Sequence, residues 1–400
     1  MVDQKPRVQP LRWIGLAATL LIGGYVLSPP LIAFWQTDPH SLSSMDLRWL
    51  LLADQIRLRF FEAAVAIWLF FFGASIGSFL NVVVYRTPRR ISLLGSSFCP
   101  KCRHPVRWRD NVPVLGWIAL RGRCRDCGEP IAGRYPLIES VTGLMLLGLV
   151  VIQLTVSGGS LPDYPSHGHL SLSWLAQQMR WEWLAVLLAQ AFLLCVLLTW
   201  ALIRWDGFRL PRCQVVLILG VGLILPTAVP ILPPTSAWVV DLLWLPDLEG
   251  ARRLLAAVIG ALVGGVLGGL QAMVARVWPA GSPSGEGRAW DLVATVALIG
   301  AVLGWPMALA AWLLAACFRM IVSVVTGDLL CQRGSSVWVH FVPATFLIIV
   351  GGRNWGQWVR WPVAQGFHPN VMIAIGGALL FSLIASYVES RPSVVYAEER

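Results

Sequence analysis

What most constrains this chain is a series of apolar runs, most of about 20 residues, the length an α-helix needs to cross about 30 Å of hydrocarbon. They lie at about 14–35, 63–85, 137–155, 184–203, 215–232, 254–275, 292–304, 307–325, 338–350 and 371–387. Helices satisfy their own backbone hydrogen bonds in lipid. The expected fold class is therefore all-α, a polytopic transmembrane helical bundle of about ten spans. Composition agrees, with 56% hydrophobic and only 13% charged residues, against roughly 25% charged in a soluble domain.

Charge sets the orientation. The stretch 86–134 carries eleven basic residues, from Arg86 and Arg89 to Arg125 and Arg134, against Asp110, Asp126 and Glu129. Basic loops stay on the cytosolic side. Alternating the spans from there also places the basic segments 204–213 and 276–288 inside, with both termini cytosolic. The net charge of +10 is thus explained by membrane topology. No nucleic-acid-binding motif accompanies it, and the expected surroundings are membrane lipid with no nucleic acid. The segment 278–288, rich in Gly, Pro and Ser, reads as a flexible connection.

The cytosolic loop holds Cys99-Pro-Lys-Cys102 and Cys124-Arg-Asp-Cys127. Two such pairs supply four thiolates to one tetrahedral metal, and disulfides are rare in the cytosol. A structural zinc on Cys99, Cys102, Cys124 and Cys127 is the expectation. Cys195, Cys213, Cys317 and Cys331 lie in or near spans and read as small apolar side chains.

Around this loop the chain resembles the prepilin leader peptidase / N-methyltransferase family, the type IV prepilin peptidases. The span ends Gly77-Ser-Phe-Leu-Asn-Val-Val-Val-Tyr-Arg-Thr-Pro88, like that family's GSFLNVVxxRxP. Asp110-Asn-Val-Pro-Val-Leu-Gly-Trp117 lies between the cysteine pairs, and Gly133-Arg-Tyr-Pro-Leu-Ile-Glu139 follows them, like the family's RYPxxE. The resemblance implies a multi-pass protein of the bacterial inner membrane. It implies four parts: an extra N-terminal span and non-cytosolic loop (1–62), a region with a span and the four-cysteine loop (63–139), a transmembrane peptidase-like core (140–352), and a C-terminal extra span with a cytosolic tail (353–400). The implied activity is removal of the leader from type IV prepilin or pseudopilin precursors at the cytosolic face. Many members also methylate the new N-terminus with S-adenosylmethionine, a cofactor that here rests on resemblance alone.

Peptidases of this kind use two aspartates that share one proton. The segment like the first catalytic motif is Ile203-Arg-Trp-Asp-Gly-Phe-Arg-Leu-Pro-Arg212, and its register places the catalytic position on Arg204, with Asp206 two residues on. The second falls eight residues before Gly300-Ala-Val-Leu-Gly-Trp305, on Leu292, beside Asp291. Asp206 and Asp291 are the candidate catalytic carboxylates, in altered geometry. The alternatives are a solvated Asp-Gly turn for Asp206 and a helix N-cap for Asp291. Arg204 is placed to ion-pair with one or the other. Two functions follow: an active membrane aspartyl peptidase, or a catalytically inactive homologue acting as scaffold or regulator in pilus or type II secretion assembly.

Overall fold

The computed structural model describes residues 19–20, 22–28, 30–32, 45–153, 180–229, 249–277, 285–326 and 336–358. The described residues are helical apart from turns, bends and two isolated β-bridges. The helices are α1 (Met45–Arg86), α2 (Leu115–Ala119), α3 (Arg134–Ile152), α4 (Trp181–Trp205), α5 (Arg212–Ala228), α6 (Glu249–Val277), α7 (Gly285–Leu303), α8 (Trp305–Thr326) and α9 (Ser336–Trp358). Among the described residues, four helical segments are long and apolar enough to cross a membrane: Leu52–Arg86, Arg134–Ile152, Trp181–Trp205 and Gly250–Met273. Arg212–Ala228, Ala289–Leu303, Trp305–Phe318 and His340–Gly351 are apolar over shorter lengths. The span expected at 371–387 lies outside the described residues, and the one at 14–35 lies only partly within them.

Two expected boundaries move. Helix α1 begins at Met45, well inside the segment 36–62 that reads as a loop. No Gly or Pro interrupts 45–62, so nothing stops a helix of good formers from running on. Its 42 residues extend about 63 Å at 1.5 Å each, twice the hydrocarbon thickness, so only part of it lies in lipid. Helix α7 begins at Gly285, within the expected connection 278–288.

The chain divides into two compact units. In the first, α1 up to Phe79 packs antiparallel to α3. A Cβ at Gly73 would meet the backbone of Thr142 and Gly143, and one at Gly77 would meet Glu139 and Thr142. Small residues at that spacing let the two backbones approach, which is how membrane helices gain contact without a hydrophobic driving force. The second unit is organised around α4, of whose apolar window 72% is buried. Within it α6 and α7 form the closest pair. Gly260 lies against Gly300, Gly264 against Val296 and Gly268 against Leu292, so any side chain there would meet backbone. The opposite side of α6 exposes Leu262, Val266, Leu270 and Met273, a stripe at spacings of four and three residues suited to lipid. Inside this unit the buried amides of Gln153 and Gln190 bond to each other, as polar groups in an apolar bundle must.

Candidate functional site

The four-cysteine loop is two copies of one turn. In the first, the Cys99 N–H donates to His104 O and the Arg103 N–H to Cys99 O. In the second, the Cys124 N–H donates to Glu129 O and the Gly128 N–H to Cys124 O. The outer bonds correspond as well, Val106 N–H to Ser97 O and Ile131 N–H to Gly122 O. Each turn requires positive φ at its fifth residue, 58° at Arg103 and 73° at Gly128. Glycine adopts that conformation freely, whereas Arg103 bears the strain. Folding each pair this way brings its two sulfurs to one side, and the four Sγ atoms lie within 4.8 Å of one another. They form a set that could hold one metal ion. The N–H groups of Cys127 and Asp126 draw the Cys124 thiol down to about 7. At Cys127 the N–H of Glu129 pulls the same way, but lost solvation and the neighbouring thiols outweigh it and the thiol stands at about 12. Four thiols this close ionise together only around a cation.

Ion pairs brace the loop. Arg125 grips Asp110 through two bonds of 2.7 and 2.5 Å, holding the Asp110 carboxyl below its ordinary range. Arg107 reaches Asp126 at 3.2 Å. The Trp117 indole N–H donates to Ile131 O at 3.0 Å, and its ring lies against Gly122. At Val114 the backbone turns through φ 62°, ψ −53°, with the Leu115 N–H donating to Pro113 O at 2.6 Å. This is a γ-turn of the rare, strained kind. The freed Val114 N–H donates to the Glu139 carboxylate at 2.6 Å, and Ser78 also bonds to that carboxylate. Glu139 therefore clasps the loop to α3. In the sequence Glu139 stands out only as the last residue of the segment like RYPxxE. Its signal was an acidic residue inside an apolar span, where a carboxylate needs a partner.

The second unit holds the expected acidic positions. Helix α4 ends in a Schellman motif: the Phe208 N–H donates to Ile203 O, the Gly207 N–H to Arg204 O, and Gly207 has φ 80°. Asp206 is the C-cap of α4 and half-buried, in agreement with the Asp-Gly turn. Asp291 is not an N-cap, because α7 starts six residues earlier and carries Asp291 into its second turn. There its carboxylate is 2% exposed and pairs with Arg204 at 2.9 Å. Of the two acids to which the sequence allows Arg204 to pair, Asp291 is one it meets in the structure. Leu210 supplies a backbone hydrogen bond to the same carboxylate, and Arg204 also donates to Phe208 O at 3.2 Å. The Phe208 ring stacks under the Arg89 guanidinium at 4.7 Å, with Tyr85 on that guanidinium at 4.3 Å. Helices α4 and α7 touch, and at their contact an arginine, not a second carboxylate, faces Asp291.

Residues 71–153 match the family described as Bacterial Peptidase A24 N-terminal domain. Over these residues the chain is similar to the N-terminal domain of the bacterial A24 peptidases. A prepilin leader peptidase/N-methyltransferase of Myxococcus xanthus is 49% identical over 87 residues, 22% of this chain and 26% of that protein. One of Klebsiella pneumoniae is 46% identical over 87 residues, 20% of this chain and 38% of the relative. One of Aeromonas hydrophila is 33% identical over 138 residues, 27% and 45% of the two chains. The matches thus span well under two thirds of these relatives' length. No solved structure matches the chain.

Proposed function

We propose that this chain is a non-hydrolytic homologue of the prepilin peptidases. It engages type IV prepilin or pseudopilin precursors at the cytosolic face of a bacterial inner membrane and serves as a scaffold or regulator in pilus or type II secretion assembly. The observation that carries this is the buried Arg204–Asp291 pair. Two-carboxylate hydrolysis needs a second group that exchanges a proton with the first. A guanidinium never gives up its proton, and by the register of the resemblance it stands at the sequence position of the partner carboxylate. The four thiols suit zinc: Cys99 Sγ and Cys127 Sγ are 3.9 Å apart, near the edge of about 3.8 Å for a tetrahedron with Zn–S bonds of about 2.3 Å. The site is closed by four protein ligands, so the ion is structural.

A second reading keeps the peptidase. Asp206 ends α4 two residues from Arg204, α7 carries Asp291, and the two helices touch. A swing of Arg204 out to solvent would leave Asp206 and Asp291 as the acidic pair. Methylation of the product with S-adenosylmethionine would belong to this reading, by resemblance. One experiment separates the two. The detergent-solubilised chain is incubated with a type IV prepilin, and both complex formation and leader removal are followed. Binding without cleavage, while an active peptidase cuts the same substrate, supports the homologue. Cleavage abolished by both Asp206→Ala and Asp291→Ala establishes the peptidase.

A further inference from the structure

We infer that the turn from Trp108 to Leu115 is an interfacial anchor, which seats the four-cysteine loop on anionic phospholipid headgroups of the same membrane its helices cross. The inference does not depend on either reading of the acidic positions.

The first observation is depth. Helix α3 has 19 residues, about 28 Å at 1.5 Å each, which just spans a hydrocarbon layer of about 30 Å. Its first residue, Arg134, therefore lies at the boundary. Glu139 is five residues further in, about 7 Å along the axis. Through its bond to Val114 N–H it holds the γ-turn at that level. Interfacial segments bury their apolar side about 5–10 Å into the headgroup and acyl boundary. The clasp thus puts the turn where lipid begins.

The second observation is what the turn presents there. Val112 is 36% exposed, Leu115 42% and Trp108 76%. In water such a cluster would be costly, whereas an indole is at home at the interface. The stretch is stiff: the Asn111 N–H bonds to Trp108 O, the Gly116 N–H to Val112 O, and a Cβ at Gly116 would meet Asp110 O. Its exposed side chains are therefore carried on one rigid turn.

The third observation is charge. Most of the acids that would repel phosphate are engaged, Asp110 by Arg125, Asp126 by Arg107 and Glu139 by Val114 N–H, while Glu129 stays exposed. Arg103, Arg109 and Arg123 remain exposed, with Arg109 lying over the Trp108 ring at 5.1 Å. Exposed apolar side chains on a loop that also exposes arginines, one of them lying over the indole, fit an anionic bilayer surface. An acidic polypeptide would match the charge, but it would leave the lipid-level depth of Val112 and Leu115 unexplained.

The test uses the full chain in nanodiscs of phosphatidylcholine alone or mixed with phosphatidylglycerol, with bromine on the acyl chains near the headgroup. The emission of wild type minus that of Trp108→Phe isolates Trp108. In the anionic discs, brominated lipid should remove most of that emission and aqueous iodide little of it. Added salt and Arg109→Glu should each reduce the bromine quenching at least twofold, with the metal content of the variant unchanged. Two results overturn the anchor. One is iodide quenching of Trp108 with no bromine effect in either lipid. The other is protection of Trp108 from iodide only when soluble polyglutamate is added, which would make the face a docking site for acidic protein. Should Arg109→Glu fail to assemble, the salt series on the wild type decides the matter alone.

Discussion

Replacing Arg204 by methionine should be among the most damaging single changes in the chain, and also changing Asp291 to leucine should undo most of the damage. Arg204 and Asp291 are 9% and 2% exposed and meet at 2.9 Å. Taking away only the guanidinium leaves a buried carboxylate with the Leu210 N–H and the more distant Arg209 charge. Breaking one side of such a pair costs about 3–5 kcal/mol, because the surviving charge loses its direct partner. The Arg204 bond to Phe208 O adds about 1.5–3 kcal/mol to the loss, the range for a bond from a charged group. The double replacement Arg204→Met/Asp291→Leu removes both desolvated charges and fills the space with apolar groups. Swaps of this kind are neutral or stabilising in other buried pairs, so only the Phe208 contribution, about 1.5–3 kcal/mol, should remain. Unfolding of the purified chain in mixed micelles, followed by tryptophan fluorescence, gives both differences. A single variant as stable as the wild type, or a double variant as unstable as the single one, would refute the claim that a dry ion pair ties α4 to α7.

Glu139→Ala should cost about 1.5–3 kcal/mol, the range for a hydrogen bond to a charged group, and amide exchange should rise in 112–119 with little change elsewhere. Because the two cysteine turns repeat each other bond for bond, Cys99→Ser and Cys124→Ser should lower metal content to the same extent, as read by elemental analysis of the purified chain. A wild type holding well under one zinc per chain would remove the structural-zinc assignment altogether. Gly264→Leu should separate α6 from α7, since its side chain would meet Val296 backbone. Overpacking costs about 1–3 kcal/mol or more, and the readout is faster proteolysis of the chain in membranes.

Much of this was legible in the sequence because the responsible physics is local. The spacing of Cys99, Cys102, Cys124 and Cys127 carries its own geometry, and the helices announce themselves by apolar length. The boundaries were harder. Residues 45–62 mix charges with leucines and so read as a loop, yet nothing in them breaks a helix. At 285–288 two glycines read as the end of a flexible connection, but α7 already runs through them, which moves Asp291 from a helix start to a second turn. The partner of Arg204 was a question of tertiary packing. Asp206 is close in sequence, but the Schellman turn places it beyond the end of α4, whereas Asp291 is brought in by the α4–α7 contact. The Val114–Glu139 clasp is of the same kind: 25 residues separate its ends, and no periodicity links them.

The most direct measurement is leader removal from a type IV prepilin by three forms of the full chain, followed by mass spectrometry. The wild type should leave the precursor whole. Arg204→Asp, which puts a carboxylate opposite Asp291, should cut it, and the double variant Arg204→Asp/Asp291→Ala should again be silent. Cleavage by the wild type, with Arg204→Asp no faster, would contradict the proposal that an arginine has taken the place of a catalytic acid.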